Sequence, residues 1–346
     1  MVQQKDANKE MRQPFAGLRT ILSSKELLDF AFSRAKKEAM KVSAKLPKEI
    51  MVRRKETTRI ETAGKALVEK LQSVLEDMPQ LDDLPPLYRE LADIVVGVQS
   101  LKKNLGALKW AAITVGNIAK SYSRRTRVAD GIDEASNARR SAYGRISSVM
   151  KQISGNLDYL RDSRSKLAKL PTFSTDVHTL VVAGYANVGK SSLVKQISSA
   201  KPEVDSYPFT TKEIMVGHGR VGERLYQVVD TPGLLDRPLK NRNKIELQAI
   251  LALRYLANCI IFLLDPSETC GYSMGKQLNL FKEIDEEFPD TPKIVAMNKI
   301  DLAEKEALEK IKAMFPEVYP LSALTNEGVK NVLEAALSKA GNTNLG

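Results

Sequence analysis

Eight consecutive residues, Gly184-Tyr185-Ala186-Asn187-Val188-Gly189-Lys190-Ser191, follow the pattern GxxxxGK[ST]. Glycines at the first and sixth positions let successive backbone N–H groups turn inward around a chain of phosphates, and Gly184, Asn187, Val188, Gly189, Lys190, Ser191 and Ser192 are the candidate phosphate binders. Lys190 is placed to reach the β and γ phosphates, and the Ser191 hydroxyl to bind a magnesium ion. The pattern follows an apolar run and precedes a helical one, which is the setting it needs.

A second loop, Asp230-Thr231-Pro232-Gly233, reads as the segment that senses the magnesium ion through Asp230 and the terminal phosphate through Gly233. Leu234 comes next. Small Ras-like GTPases carry there a glutamine that orients the attacking water, and a leucine side chain neither donates nor accepts a hydrogen bond. Either the chain does not hydrolyse its nucleotide, or it does so by other means. A third loop, Asn298-Lys299-Ile300-Asp301, follows the apolar run Ile294–Met297. Asp301 can accept hydrogen bonds from N1 and N2 of guanine, a pairing adenine does not offer, while Asn298 and the Lys299 stem brace the loop and cover the base. Ser322-Ala323-Leu324 fits a backbone contact to guanine O6. Between the first two loops, residues 205–211 have the polar, aperiodic character of a switch segment. Thr211 is its expected magnesium and γ-phosphate ligand, with Thr210 the alternative, and a plain strand start is the other reading of both. The expected catalytic set is Asn187, Lys190, Thr211 and Gly233; the expected metal ligands are Ser191, Thr211 and Asp230.

These loops require strands that end beside one another. From residue 171 short β-rich runs alternate with helical ones, with strands expected at 179–183, 214–218, 225–229, 259–264, 293–297 and 318–321. The expectation is an α/β P-loop GTPase domain over 171–346, a mostly parallel six-stranded sheet with helices on both faces and one antiparallel edge hairpin. Residues 1–170 read differently. Apolar residues at three-and-four spacing mark one long helix over 84–130 and a second from Ala135 towards Leu167, preceded by shorter ones at 25–44 and 48–76. Four such stripes bury one another most simply as an antiparallel bundle.

Charge separates the two halves. The formal net charge of +11 splits into +13 for residues 1–170 and −2 for the remainder. Clusters at Arg53-Arg54, Arg124-Arg125-Thr126-Arg127 and Arg139-Arg140 fit contact with a phosphate backbone. A solvated bundle face is the plainer reading of the same charge. Apolar residues at 43% and charged residues at 27% are globular values. Neither Cys259 nor Cys270, nor His178 or His218, stands at metal-ligand spacing. The N-terminus lacks the apolar core of a signal peptide, and no apolar run is long enough to span a bilayer, so no membrane partner and a cytoplasmic location are expected. No DNA partner is expected either.

Taken together, GYANVGKSS, YPFTT, DTPGLLDRPLKNRNKIE, DPSETCGYS and NKID resemble the nucleolar GTP-binding protein family, related to the Obg group of translation-factor-type GTPases. The resemblance covers nearly the whole chain and is to a short form without the long C-terminal extension of nuclear members. It implies binding and slow hydrolysis of GTP to GDP with magnesium. It also implies a switch in assembly of the large ribosomal subunit, with ribosomal RNA and ribosomal proteins as partners. It further suggests a potassium ion held by Asn187 against the phosphates in place of a glutamine, as several GTPases with asparagine there have; bracing of the loop by Asn187 stands as the equal alternative. A GTP-regulated protein-docking module without RNA contact is the rival function. A signal-recognition-type GTPase is disfavoured because its loops typically read DTAGR and TKxD.

Overall fold

The computed structural model describes residues 13–174, 176–207, 213–230, 233–239, 242 and 244–341. Among the described residues six helices come first: α1 (Ser24–Met40), α2 (Lys48–Asp77), α3 (Pro86–Val96), α4 (Val98–Arg127), α5 (Ile132–Gln152) and α6 (Ser154–Leu167). Two compact units emerge. Pro14–Leu84 and Val95–Ala168 form a helical one; Gln13, Pro85–Ile94 and the chain from Lys169 form an α/β one.

In the helical unit α2 packs on α1, α4 and α5, and α4 packs on α5 and α6. Alanines three or four residues apart make these seams: Ala31, Ala35 and Ala39 in α1, and Ala135, Ala138 and Ala142 in α5, all buried. Their short side chains recur on one face of each helix and let the axes approach closely. One close approach is at Gly64 of α2, where a Cβ would collide with the Cβ of Ala119 on α4. α1 starts at a capping box in which Ser23 Oγ accepts the Glu26 N–H at 3.3 Å and the Glu26 carboxylate accepts the Ser23 N–H at 2.7 Å.

The continuous helix expected over 84–130 is two helices. Gly97, at φ +76°, separates α3 from α4 by a backbone conformation that side-chain-bearing residues rarely adopt. The second expected stripe is likewise divided at Ile153. The consequence is larger than a kink, since Pro85–Ile94 belongs to the α/β unit and not to the bundle that residues 1–170 were expected to form. Tyr88 of α3 explains this. Its buried hydroxyl donates to the Pro171 carbonyl at 3.0 Å and accepts the Phe173 N–H at 2.9 Å, tying α3 to the segment that leads into the sheet.

The α/β unit runs β1 (His178–Ala183), α7 (Lys190–Ile197), β2 (Glu203–Ser206), β3 (Glu213–Val221), β4 (Arg224–Asp230), α8 (Lys244–Ala252), β5 (Cys259–Leu264), α9 (Met274–Glu287), β6 (Lys293–Met297), α10 (Lys305–Met314), β7 (Val318–Pro320) and α11 (Val329–Ala340). The sheet has seven strands rather than six, in the order β2-β3-β4-β1-β5-β6-β7. The additional strand, β2, pairs antiparallel with β3, so β2 and not the β3–β4 hairpin forms that edge. Its sequence, EVDS, is too short and polar to announce a strand; the backbone ladder with β3 makes it one. The remaining pairs, from β4 through β1, β5, β6 and β7, are parallel. All six residues of β5 are buried, and because side chains alternate sides, both faces of the sheet are covered there. No helix among the described residues is long and apolar enough to cross a membrane.

Replacing Tyr88 by phenylalanine keeps the ring and removes both hydrogen bonds, leaving the buried Phe173 N–H without its acceptor. The expected loss is about 1–3 kcal/mol of unfolding free energy, read as a lower denaturant midpoint at unchanged slope.

Candidate functional site

Five parallel strands bring their carboxyl ends to one edge of the sheet, where open α/β folds bind ligands. The GxxxxGKS loop leaves β1, the Asp230 loop leaves β4, the Asp265 segment leaves β5, the Asn298 loop leaves β6 and Ser322-Ala323-Leu324 follows β7. β1 lies between β4 and β5, with Val182 opposite Asp230 and Ala183 opposite Phe262. This register sets Asp230 beside the start of the first loop.

Within that loop, Gly184 has φ +133°, and a Cβ there would lie 2.6 Å from the Leu263 carbonyl oxygen. Gly189 has φ +102°, and its Cβ would strike the Asn298 amide. Both glycines are therefore fixed by close neighbours as well as by backbone conformation. Asn187, exposed at φ +64°, occupies the left-handed region that asparagine tolerates better than most residues. Lys190 is buried, and its ammonium donates to the carbonyls of Gly184 and Tyr185, both at 2.8 Å, so the cation is drawn across the mouth of its own loop. Ser191 opens α7 and donates its hydroxyl to the carboxylate of the fully buried Asp230. Two hard oxygen donors in contact suit a small divalent cation. Val188 is buried and Ser192 is exposed on the first turn of α7.

Asn298, 2% exposed, joins three of the loops. Its amide Nδ2 donates to the Val188 carbonyl at 2.7 Å, its Oδ1 accepts the Ala323 N–H at 2.9 Å, and its own N–H bonds the Leu264 carbonyl at 2.8 Å. Lys299, at φ +61°, turns its ammonium to Asp265 at 2.6 Å and Thr269 at 2.9 Å. Asp265 also accepts from Ser267 and from the Cys270 N–H. Burial by itself would raise the Asp265 carboxyl, yet the Lys299 ammonium and these donors together hold it below the usual carboxylate value. Asp301 is exposed beside this cluster, as is Leu324 at 83%, while Ser322 is fully buried. Because Asn298 takes the Ala323 N–H, Ala323 bonds the Asn298 loop instead of presenting that donor outward.

Asp265 was not singled out from sequence, although an acid at the carboxyl end of a buried strand followed by Pro-Ser-Glu-Thr was a usable signal. Asp236 and Arg242 were missed as well. The Gly233 N–H donates to Asp236 at 2.7 Å, and Arg242 donates to the Leu234 carbonyl at 2.7 Å and lies 3.6 Å from Asp236. Leu234 itself is 1% exposed, and Leu235 accepts the Gly184 N–H at 3.0 Å. The side chain that replaces the Ras-like glutamine is thus a packing residue. Thr210, Thr211, Thr231 and Pro232 lie outside the described residues.

In the helical unit the seven arginines expected to meet RNA are not alike. Arg54, Arg124 and Arg125 are exposed. Arg140, also exposed, makes a long contact of 3.4 Å to Asn137. Arg53 sits 3.7 Å from Glu49, and Arg127 pairs with Glu61. Arg139 leaves the set: it is bound to the buried Glu56 and lies 5.4 Å from the Tyr143 ring centroid, so it neutralises a carboxylate inside the bundle.

Removing the Lys299 ammonium leaves Asp265 buried without its cation. A carboxyl held low in the folded state stabilises above the usual carboxylate range, and that contribution is lost as pH falls through the folded value. In Lys299→Met that loss is expected to begin at higher pH, seen as a thermal midpoint that falls earlier than wild type on acidification from roughly pH 6 to pH 3.

Residues 15–174 match the family model of the N-terminal helical domain of nucleolar GTP-binding protein 1, and residues 244–301 match the model of nucleolar GTP-binding protein 1 itself. A Methanocaldococcus jannaschii protein without a functional name is 44% identical over 297 residues, covering 86% of this chain and 83% of its own. Nucleolar GTP-binding protein 1 of Drosophila melanogaster is 36% identical over 85% of this chain and 45% of its own, and that of Saccharomyces cerevisiae 31% identical over 89% and 47%. The chain spans about half the length of these named relatives. A crystal structure from Plasmodium falciparum bearing the same name covers 50% of this chain and 91% of its own at 34% identity, with a TM-score of 0.44. The cytoplasmic location expected from sequence is corrected by these names, which are nucleolar. The expectation rested on seeing neither a signal-peptide pattern nor a long apolar run in the sequence, an observation that does not separate one aqueous compartment from another. The matched models and these identities show that the chain belongs to the nucleolar GTP-binding protein 1 family.

Proposed function

We propose that the chain binds GTP and GDP at the carboxyl edge of its sheet, hydrolyses GTP slowly, and works as a switch in assembly of the large ribosomal subunit, docking on ribosomal RNA and proteins through its basic helical unit. The observation that carries the nucleotide reading is Asn298. One buried amide holds the Val188 carbonyl of the first loop and the Ala323 N–H of the segment after β7, which supports reading these as phosphate and base loops held at one spacing. The names of the fly and yeast relatives, as GTP-binding proteins, support the same reading. The assembly role rests on the family.

In this reading Gly184, Asn187, Val188, Gly189, Lys190, Ser191 and Ser192 surround the phosphates. Lys190 exchanges its two loop carbonyls for phosphate oxygens. Asp301 accepts the guanine N1 and N2 protons, the Lys299 stem covers the base while Asp265 fixes its ammonium, and Leu324 offers the backbone N–H towards O6. Ser191 and Asp230 would hold magnesium, with Thr211 as the further ligand; the ion supplies charge neutralisation at the β and γ phosphates when bound. Gly233 gives its N–H to the terminal phosphate, which requires release from Asp236. With a buried leucine after Gly233, water is oriented by other groups. Asn187 serves either as a potassium ligand or as the residue that tolerates the left-handed turn, and turnover in potassium against sodium separates the two.

Asp301→Asn is expected to shift preference from GTP towards xanthosine triphosphate, because the new amide donates where the carboxylate accepted; a competition titration with unchanged ranking removes the base from this loop. For the docking half, Arg124→Gln with Arg125→Gln is expected to weaken ribosomal RNA binding without altering GDP affinity. The slope of log affinity against log salt should become shallower by up to about one unit per lost phosphate contact. An unchanged slope favours the protein-docking reading.

A further inference from the structure

The helical unit contains a concave site of about 520 Å3, lined by Val42 and Ile50, by Arg53, Arg54 and Arg127, and by Thr57. Its volume lies within the range of small-ligand pockets. Two groups at this site are buried and without a hydrogen-bond partner among the described residues: the Thr57 hydroxyl, on a residue only 6% exposed, and Arg53 Nε. Buried polar atoms are nearly always satisfied, and leaving one unpaired is costly, so these two mark a place where a ligand completes the bonding. Three guanidinium groups line it beside one lining carboxylate, Glu61, which Arg127 engages; Glu49, outside the lining, lies 3.7 Å from Arg53, and two carboxylates leave the three arginines with an excess of positive charge. The ligand is therefore anionic. Ile50 is 40% exposed, so the site also offers apolar surface.

We infer that this pocket takes one unstacked nucleotide of single-stranded RNA. The inference rests on the RNA-docking reading and deepens it. Arginine supplies forked donors for phosphate oxygens and a flat face for a base. Threonine can donate to a phosphate or pair with a ribose 2′-hydroxyl, and the apolar wall suits a base face. A duplex keeps its bases stacked and offers a convex row of phosphates, which does not fill a cavity of this size; loops and ends can splay a base out. Scattered surface arginines acting through counterion release alone would give no preference for the single strand, whose phosphates are less densely spaced than those of a duplex.

The test uses the full chain saturated with GDP and magnesium, with a labelled short oligouridylate and an RNA duplex of equal length as probes. Thr57→Val is nearly isosteric and removes only the hydroxyl. It is expected to weaken single-strand binding about tenfold, leave duplex binding unchanged and spare the melting temperature, while Thr57→Ser restores the affinity. Equal loss on both probes, or no loss on either, overturns the pocket and leaves RNA docking standing. Binding of neither probe by the wild type overturns the docking reading and the pocket with it.

Discussion

The side chain of Asn298 fixes how the loops of the α/β unit can be arranged. It bridges backbone groups of segments separated by more than a hundred residues in one direction and two dozen in the other, and it does so from a site that water does not reach. Buried amide contacts of this kind tolerate little displacement, because losing one partner leaves a desolvated donor or acceptor. Gly189 follows from the same constraint, since any Cβ there would enter the space of the amide. The glycine usually explained by room for phosphate is here also required by a side chain from the opposite end of the domain.

Around that tether the loop cations are already committed. Lys190 is held by carbonyls of its own loop, Lys299 by Asp265 and Thr269, and Arg242 by the Leu234 carbonyl and Asp236. Each is pre-positioned, so less side-chain freedom is left to lose at this edge of the sheet than if the same groups were loose. Desolvation holds the Arg242 guanidinium below its ordinary value, with the neighbouring Arg237 acting in the same direction against Asp236. That cost is consistent with a residue kept for the geometry of the Leu234 turn and not for stability alone.

The loops read as phosphate and base sites could be located in the sequence because backbone geometry around phosphates dictates glycine, lysine and hydroxyl at set intervals, and the structure brings those loops to one edge of the sheet. The parallel sheet was legible for a similar reason: fully buried strands such as β5 read as unbroken apolar runs. What escaped depends on partners distant in sequence. Nothing local distinguishes Arg139 from a surface arginine until Glu56 is beside it, and EVDS is a strand only because β3 offers a ladder. Gly97 sits inside an uninterrupted apolar period, where a helical glycine and a left-handed one look the same. Leu234 could be read as lacking a glutamine's chemistry, but its burial required the fold.

Tyr88 has a consequence for the order in which the chain can fold as it is made. The helical unit is interrupted between Leu84 and Val95 by a segment that belongs elsewhere, and the groups that satisfy its tyrosine are at Pro171 and Phe173. At ordinary synthesis rates of about 5–20 residues per second, α3 leaves the ribosome some seconds before those groups exist. During that interval Leu87, Tyr88, Leu91 and Ala92, all buried in the finished protein, have no α/β unit to enter. The two stretches of the helical unit must therefore pair with a loose apolar segment between them, and the later arrival of Pro171 and Phe173 supplies the partners of its tyrosine.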